Sequence, residues 1–219
     1  IDKLKALKVD PYSWSVIFDP KILARLAGHV GVQDNTRAIF TAALLYLGRD
    51  PAKATDDDYN RAREVIAATR PYWALLPDHY GRSLVTGDVW VALGYSPRLY
   101  QAREMASQQH RAYTIGYVPQ REGNVTEASV MVIPAVAPHP ELALRFMNFM
   151  LDGKQAAVLS NLNGSTTPVQ TATLWLADDL NFHPVINPDV TALQKWPLLR
   201  EIPDKTLYKL KGEWHGLRD

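Results

Sequence analysis

Two short stretches of this chain place hydrogen-bonding and aromatic side chains directly after apolar runs of strand length. The run ending near Gln33 leads into Asp34, Asn35 and Thr36, and the run ending at Leu93 leads into Gly94, Tyr95 and Ser96. In open α/β sheets, ligands bind beyond the carboxyl ends of strands, where helix starts offer free amides and side-chain oxygens. Asp34 to Thr36 therefore read either as a polar binding tip or as the plain cap of the helix that follows. Tyr95 reads either as a ligand-facing aromatic or as a ring packed at the rim.

Other constellations carry less chemistry. The histidines His29, His79, His110, His139, His183 and His215 are scattered, and no pair has the i, i+4 spacing that puts two metal ligands on one helix face. Asp56, Asp57 and Asp58 look like an acidic cluster, but a solvated helix start explains them, because the helix dipole favours negative charge there. Asp178 and Asp179 read as loop residues. The chain holds no G-x-S-x-G, Walker-type or G-x-G-x-x-G sequence. The six tryptophans each lie beside apolar residues, so packing is their default role.

The elements that must position the two tips alternate helix and strand signals, which is the α/β pattern. Asp19-Pro20 opens a short helix that ends at Gly28, and His29 to Gln33 reads as a strand. Asn35 to Leu47 reads as a helix with Ile39, Ala43, Leu44 and Leu47 on one face. Thr55 caps the next helix, which Arg70-Pro71 closes. Tyr72 to Leu76, Val89 to Leu93 and Tyr113 to Val118 read as further strands, with helices over Gly81 to Thr86 and Pro97 to Gln108. Thr191 to Leu199 reads as helical, as does Asp204 to Leu217 with Leu207, Leu210 and Trp214 on one face.

The stretch from Glu122 to Met150 hands a strand directly to an apolar helix. Val130, Met131, Val132 and Ile133 form a run of β character stopped by Pro134, which cannot donate to a ladder. Pro138 and Pro140 suit a helix start, and Leu142, Phe146, Phe149 and Met150 then recur at helical spacing as one buried stripe. Gly153 reads as its stop, and Lys154 to Leu162 as a second short helix before Asn163-Gly164.

This order, EG, then a strand ending IP, then a helix PELALRFMNFML, resembles the spermidine/putrescine-binding family of bacterial solute-binding proteins, the extracytoplasmic receptors of ABC importers. SWSVIFDPKILARLAGHVGVQDNTRAIFTAALLYLG (Ser13 to Gly48) resembles the family's segment with D-x-x-R and its following helix. LVTGDVWVALGYSP (Leu84 to Pro97) resembles its G-[ED]-V segment, and NGSTTPV (Asn163 to Val169) its G-Y-x-T-P loop. The resemblance implies a periplasmic-binding-protein-like (type II) α/β fold, with one lobe essentially complete and the other represented only in part. It divides the chain into residues 12–123 as the second α/β lobe, 124–165 as a return segment of the first lobe, and 166–219 as a C-terminal helical segment packing back on the second lobe. It also implies that the chain is the carboxy-terminal portion of a longer receptor.

Polyamine receptors surround the amines with carboxylates and line the methylene chain with aromatics, because desolvated ammonium groups need anionic or cation–π partners. The resemblance carries these positions over unevenly. The first acidic position becomes Asn35, with Asp34 beside it, and the second becomes Ala38. The aromatic after the G-[ED]-V strand is Tyr95. The W-x-D pair becomes Glu127 and Ser129, and the tyrosine before T-P becomes Ser165. Asp34, Asn35, Thr36, Tyr95, Glu127, Ser129 and Ser165 are the resulting binding candidates. Their remaining negative charge suits an amine; a ligand carrying its own carboxylate or phosphate, met by Arg37 and helix amides, is the other possibility.

With 219 residues and 47% apolar residues the chain can bury a substantial core. Lys plus Arg at 24 against Asp plus Glu at 23 gives no basic face for nucleic acid. No apolar stretch approaches the roughly 20 residues that span a bilayer. The absence of cysteine excludes disulfides and thiolate metal sites. The expectation is a non-enzymatic periplasmic receptor without cofactor, whose partners are a small amine-bearing solute and a membrane permease. Closure is expected at hinges in Lys8 to Ser13 and Gln120 to Ser129, the latter softened by Gly123-Asn124. Two alternatives are a hydrolase using the Asp34 and Glu127 carboxylates, and a structural piece that self-associates through the helix at Leu142 to Leu151.

Overall fold

In the computed structural model, residues 2–26, 28–76, 81–183, 186–188, 191, 194, 196, 202 and 204–218 are described. Three strands, β1 (Val30–Gln33), β2 (Trp73–Leu76) and β3 (Val91–Leu93), form one parallel sheet in the order β2-β1-β3. Parallel neighbours need crossovers rather than hairpins. Helices α4 (Thr36–Tyr46) and α5 (Asp56–Thr69) connect β1 to β2, and α6 (Gly81–Thr86) lies between β2 and β3. The register sets Val30 against both Trp73 and Val91, and Val32 against both Leu75 and Leu93. Preceding the sheet are α1 (Asp2–Ala6), α2 (Ser15–Phe18) and α3 (Pro20–Arg25). Following it are α7 (Ser96–Gln108), α8 (Pro140–Met150), α9 (Gly153–Asn163), α10 (Asp178–Asn181) and α11 (Asp204–Arg218).

The central strand is apolar and buried from Val30 to Val32 because both its faces are covered there, and only its last residue, Gln33, is polar. Val30 and Val32 are fully buried, and around them pack Phe18, Leu23, Leu26, Ile39, Phe40, Leu44, Ile66 and Trp73. Each large side chain of this kind contributes about 1.5–3 kcal/mol on burial. Phe18 sits 5.7 Å from the Trp73 ring in an edge-on arrangement, and the Trp73 indole N–H donates to the Ile17 carbonyl at 3.0 Å. Leu210 and Trp214 of α11 join the same core, so the last helix closes over α4. A second cluster of Leu84, Val85, Val89, Leu99, Ala102 and Ala106 fills the space between α6 and α7. At the amino end, Lys3 places its ammonium 4.4 Å over the Trp90 ring, which stacks on His29 at 3.9 Å and ties α1 to the sheet.

Several expectations are corrected. Val130 to Ile133 is not a strand: it has no ladder, and Val130 and Val132 are each 78% exposed. Tyr113 to Val118 likewise lies outside any ladder. A β-rich run becomes a strand only beside a partner edge, and among the described residues neither run has one. The α8 stripe is outward: Leu142, Phe146 and Phe149 are more than half exposed, and no α8 residue is buried. Gly153 is not the stop of α8 but the first residue of α9. Asp152 caps α9 through the Lys154 and Gln155 amides, and Gly153 lies so close to Thr171 that a Cβ would come within 2.5 Å of its hydroxyl. Gly164 closes α9 at φ +71, where a Cβ would come within 2.4 Å of Tyr100. Trp175, at 47% exposed, departs from the packed role expected of the tryptophans. Most of the helix expected over Thr191 to Leu199 lies outside the described residues.

Thr55 and Asp58 form a reciprocal capping box at the start of α5. Hydrogen bonds from the Thr55 backbone and hydroxyl hold the Asp58 carboxyl below its ordinary range, with Arg49 and Arg61 adding to the shift. A carboxyl depressed in the folded state stabilises above its unfolded value, near 3.9, and loses that contribution as pH falls through the folded value. Thr55→Ala should cost about 1 kcal/mol in chemical denaturation at neutral pH. Asp58→Asn should flatten the stability-versus-pH curve only below about pH 4; an unchanged acid limb would remove the role assigned to this carboxylate.

Candidate ligand-binding face

Because β1 and β3 are parallel and paired through Val32 and Leu93, the residues that follow them emerge on the same edge of the sheet. Asn35 and Tyr95, 60 positions apart in sequence, meet there: the Asn35 side-chain amide donates to the Tyr95 hydroxyl at 2.7 Å. The Asn35 carbonyl oxygen accepts from the Ala38 amide at 3.0 Å, which makes Asn35 the cap of α4. The capping and tip readings of this segment thus coincide in one residue. Tyr95 occupies the cap position of α7, and its backbone carbonyl accepts from the Arg98 and Leu99 amides. Both rings of contact leave Tyr95 half-buried, with Thr36 half-buried one residue into α4.

Asp34 is exposed, and its carboxylate accepts from the Trp214 indole N–H at 2.6 Å. That bond spans 180 positions and brings the last helix to this edge of the sheet. No local spacing announces it, so Trp214 is the contributor that reading the sequence assigns only to the core. Trp214 is also buried at 2% exposure, so one side chain both fills the core and orients Asp34.

The remaining candidates are not gathered into this cluster. Glu127 and Ser129 are exposed and make no hydrogen bond or ion pair among the described residues. Ser165 turns back on α9: its amide and hydroxyl both donate to the Asn163 side-chain oxygen, at 2.8 and 2.6 Å. The adjacent Gly164 packs on Tyr100 of α7, so this loop borders α7 beyond Tyr95. Nearby, His183 is shifted down by burial and by Arg103, with Asp179 acting in the opposite sense. A cavity of about 420 Å³ lies beside β3 and touches Gly94, but Asn35, Tyr95 and Glu127 do not line it. The candidate face therefore lies apart from this cavity. Among the described residues no group of three or more histidine or acidic side chains is placed to hold a metal ion.

The two segments expected to act as hinges lie against each other. Glu122 accepts from the Ser13 hydroxyl at 2.5 Å and from the Trp14 amide at 3.2 Å, and the Trp14 indole donates to the Gly123 carbonyl at 2.9 Å. The Arg121 amide donates to the Tyr12 carbonyl at 2.9 Å, and the Arg121 guanidinium pairs with Asp10. Gly123 at φ +109 holds a backbone conformation that side-chain-bearing residues rarely adopt.

The sequence profile of the bacterial extracellular solute-binding proteins matches residues 1–184. The chain belongs to this family. It is 35% identical over 217 residues to the putrescine/cadaverine-binding protein of Pseudomonas aeruginosa, covering 99% of this chain and 61% of that protein. It is 29% identical over 186 residues to the putrescine-binding periplasmic protein PotF of Escherichia coli, covering 78% of this chain and 50% of that protein. In three dimensions it matches a putative spermidine/putrescine ABC transporter protein from Listeria monocytogenes with a TM-score of 0.77, at 20% identity, over 95% of this chain and 62% of that one. The periplasmic-binding-protein-like α/β fold expected of the sequence is therefore the fold observed. The chain spans about 61% of the length of the Pseudomonas relative.

Two substitutions separate the contributors to this face. Tyr95→Phe should remove the bond to Asn35 at a cost of about 1 kcal/mol, read by denaturant unfolding. Trp214→Ala should cost about 3–5 kcal/mol and expose α11 to trypsin at Lys205, Lys209 and Lys211; resistance to cleavage there would mean that the helix is held by something other than Trp214.

Proposed function

We propose that this chain is the greater part of a periplasmic solute receptor of an ABC importer, and that the edge carrying Asp34, Asn35, Thr36 and Tyr95 is one wall of its binding cleft. The observation that carries the reading is the convergence of Asn35 and Tyr95, with Asp34 adjacent, at the shared carboxyl edge of β1 and β3. The solute is a polyamine or related diamine, as the names of the relatives suggest. Asp34 supplies negative charge to an ammonium group, and the Tyr95 ring supplies a face for cation–π or methylene contact. The Tyr95 hydroxyl accepts from the Asn35 side-chain amide, which fixes the ring at this edge.

A ligand bearing a carboxylate or phosphate is the weaker choice. The start of α4 would attract an anion through its amides, but Asn35 already occupies the Ala38 N–H, and at α7 Pro97 supplies none. The hydrolase reading has no supporting contact, since Asp34 is engaged by Trp214 and no bond joins it to Glu127 among the described residues.

In this reading residues 12–123 form the second lobe, 124–165 return to the first, and 166–219 pack back on the second. The hydrogen-bonded pair of segments around Asp10 to Trp14 and Arg121 to Gly123 is the hinge about which the cleft closes. Glu127, Ser129 and Ser165 then belong to the opposing wall or its rim, which accounts for their lying outside the Asn35–Tyr95 cluster. The exposed apolar face of Val130, Val132, Leu142, Phe146 and Phe149 is the contact surface for the rest of the first lobe. The permease is the partner to which the closed receptor delivers its solute.

Tryptophan fluorescence of the intact receptor titrated with putrescine, cadaverine and spermidine should give a saturable change with at least one of them. Asp34→Asn and Tyr95→Ala should each weaken that binding roughly tenfold, about 1.4 kcal/mol; a flat response to all three amines sinks the assignment of ligand class. The 219-residue chain alone should self-associate with rising concentration in sedimentation, because so large an apolar face is uncovered. A strictly monomeric chain would contradict the reading of that face as a contact surface.

A further inference from the structure

Asp34 is exposed where the chain leaves β1, at the edge it shares with β3. A carboxylate in such a place contributes little to holding an ammonium group when it rotates freely, because the pairing must offset the side-chain freedom it removes. Here the rotation is already restrained: the Trp214 indole N–H donates to the Asp34 Oδ1 at 2.6 Å. An indole N–H is a donor only, so the direction of this bond involves no choice of tautomer or amide orientation. It also carries no formal charge. The carboxylate therefore keeps its negative charge for a cation, which a lysine or arginine in the same position would cancel.

Trp214 is held more firmly than the group it touches. It is buried in the same core as Leu210, one turn earlier on α11, and as Ile39, Phe40 and Leu44 of α4. Leu207 and Leu217 pack against that core from the same helix. Elsewhere on α11, the Lys209 ammonium donates to the Asn60 side-chain oxygen of α5 at 3.3 Å and lies 3.9 Å from Glu213. Packing of α11 on α4 and α5 thus sets where the indole points, and Asp34 conforms to it. A buried N–H that loses its acceptor is destabilised, which opposes any turn of Asp34 away from the ring. The core itself needs only the apolar ring; the N–H is the part of Trp214 that burial does not explain.

We propose that Trp214 is a positioning residue for solute binding: its indole N–H presets the Asp34 carboxylate to receive an ammonium group, without itself touching the solute. The inference rests on the reading of this edge as one wall of the cleft, and it names the residue that makes an exposed carboxylate an effective one. Ordering Asp34 before the solute arrives removes that cost from the binding step. Trp214 therefore acts through Asp34 alone, and its contribution to affinity disappears when Asp34 does.

Trp214→Phe keeps an aromatic ring in the core and deletes the N–H. In calorimetric titration of the intact receptor with putrescine, it should weaken binding about fivefold when Asp34 is present and leave it unchanged in an Asp34→Ala background. A general loosening of the fold would weaken binding by the same factor in both backgrounds, and that result overturns the proposal, as does full affinity in Trp214→Phe or binding indifferent to Asp34→Ala. The Trp214 indole N–H resonance in nuclear magnetic resonance spectra requires no change in the core. It should move upfield in Asp34→Ala and shift saturably with putrescine in the unsubstituted protein; a resonance insensitive to either overturns the proposal even where Trp214→Phe does not fold. If putrescine, cadaverine and spermidine all fail to bind the unsubstituted receptor, the reading of the edge falls and this inference with it. Binding that Asp34→Ala weakens and Trp214→Phe does not removes this inference alone.

Discussion

The pairing of β1 with β3 is the constraint on which this molecule depends. A parallel register that sets Val30 against Val91 and Val32 against Leu93 obliges both chains to leave the sheet at the same edge. Two helices then begin side by side, one capped by Asn35 and the other led by Tyr95, and a 2.7 Å hydrogen bond links the two leading side chains. The apolar character of β1 secures this arrangement from within, since a strand buried on both faces tolerates no slip that would turn a polar residue inward. Trp214 secures it from outside by joining the core and Asp34 at once. The candidate binding residues and the stability of the sheet therefore share the same few contacts.

A second set of contacts, separate from the candidate edge, draws two distant segments together. Asp10, Tyr12, Ser13 and Trp14 meet Arg121, Glu122 and Gly123 through backbone and side-chain bonds, so two segments more than a hundred positions apart are held together. A joint built from a few hydrogen bonds and an exposed ion pair is compliant compared with the packed core around Phe18 and Trp73. Exposed pairs contribute little, about 0–1 kcal/mol, and bend without large loss. Under the proposed function, rigidity at the tips and compliance between these segments suit a receptor that closes.

Among the described residues, two elements of strong local character meet different fates. Val130 to Ile133 has strand composition and no strand, and α8 has a helical apolar stripe that faces outward. The helix forms regardless, because its hydrogen bonds are internal to its own segment. The strand does not, because its bonds must come from a neighbour. The same difference separates the 96–108 region, read correctly as a helix, from the 112–118 segment, which has the pattern of a strand and no ladder.

Local sequence alone determined the helices, their caps and the buried strands. Asn35, Thr55, Asp19 and Asp152 act within a few residues of themselves, and the apolar runs of β1 and β2 need only burial to become strands. It also determined family membership, through motifs that keep their order along the chain. Tertiary structure decided what depends on contacts between distant segments. It joined Asn35 to Tyr95, turned Asp34 toward Trp214, and separated Glu127, Ser129 and Ser165 from that cluster. A hydrogen bond between residues 60 or 180 positions apart leaves no periodicity to read, because the chain between them can close that distance in many ways and only the packed core selects one.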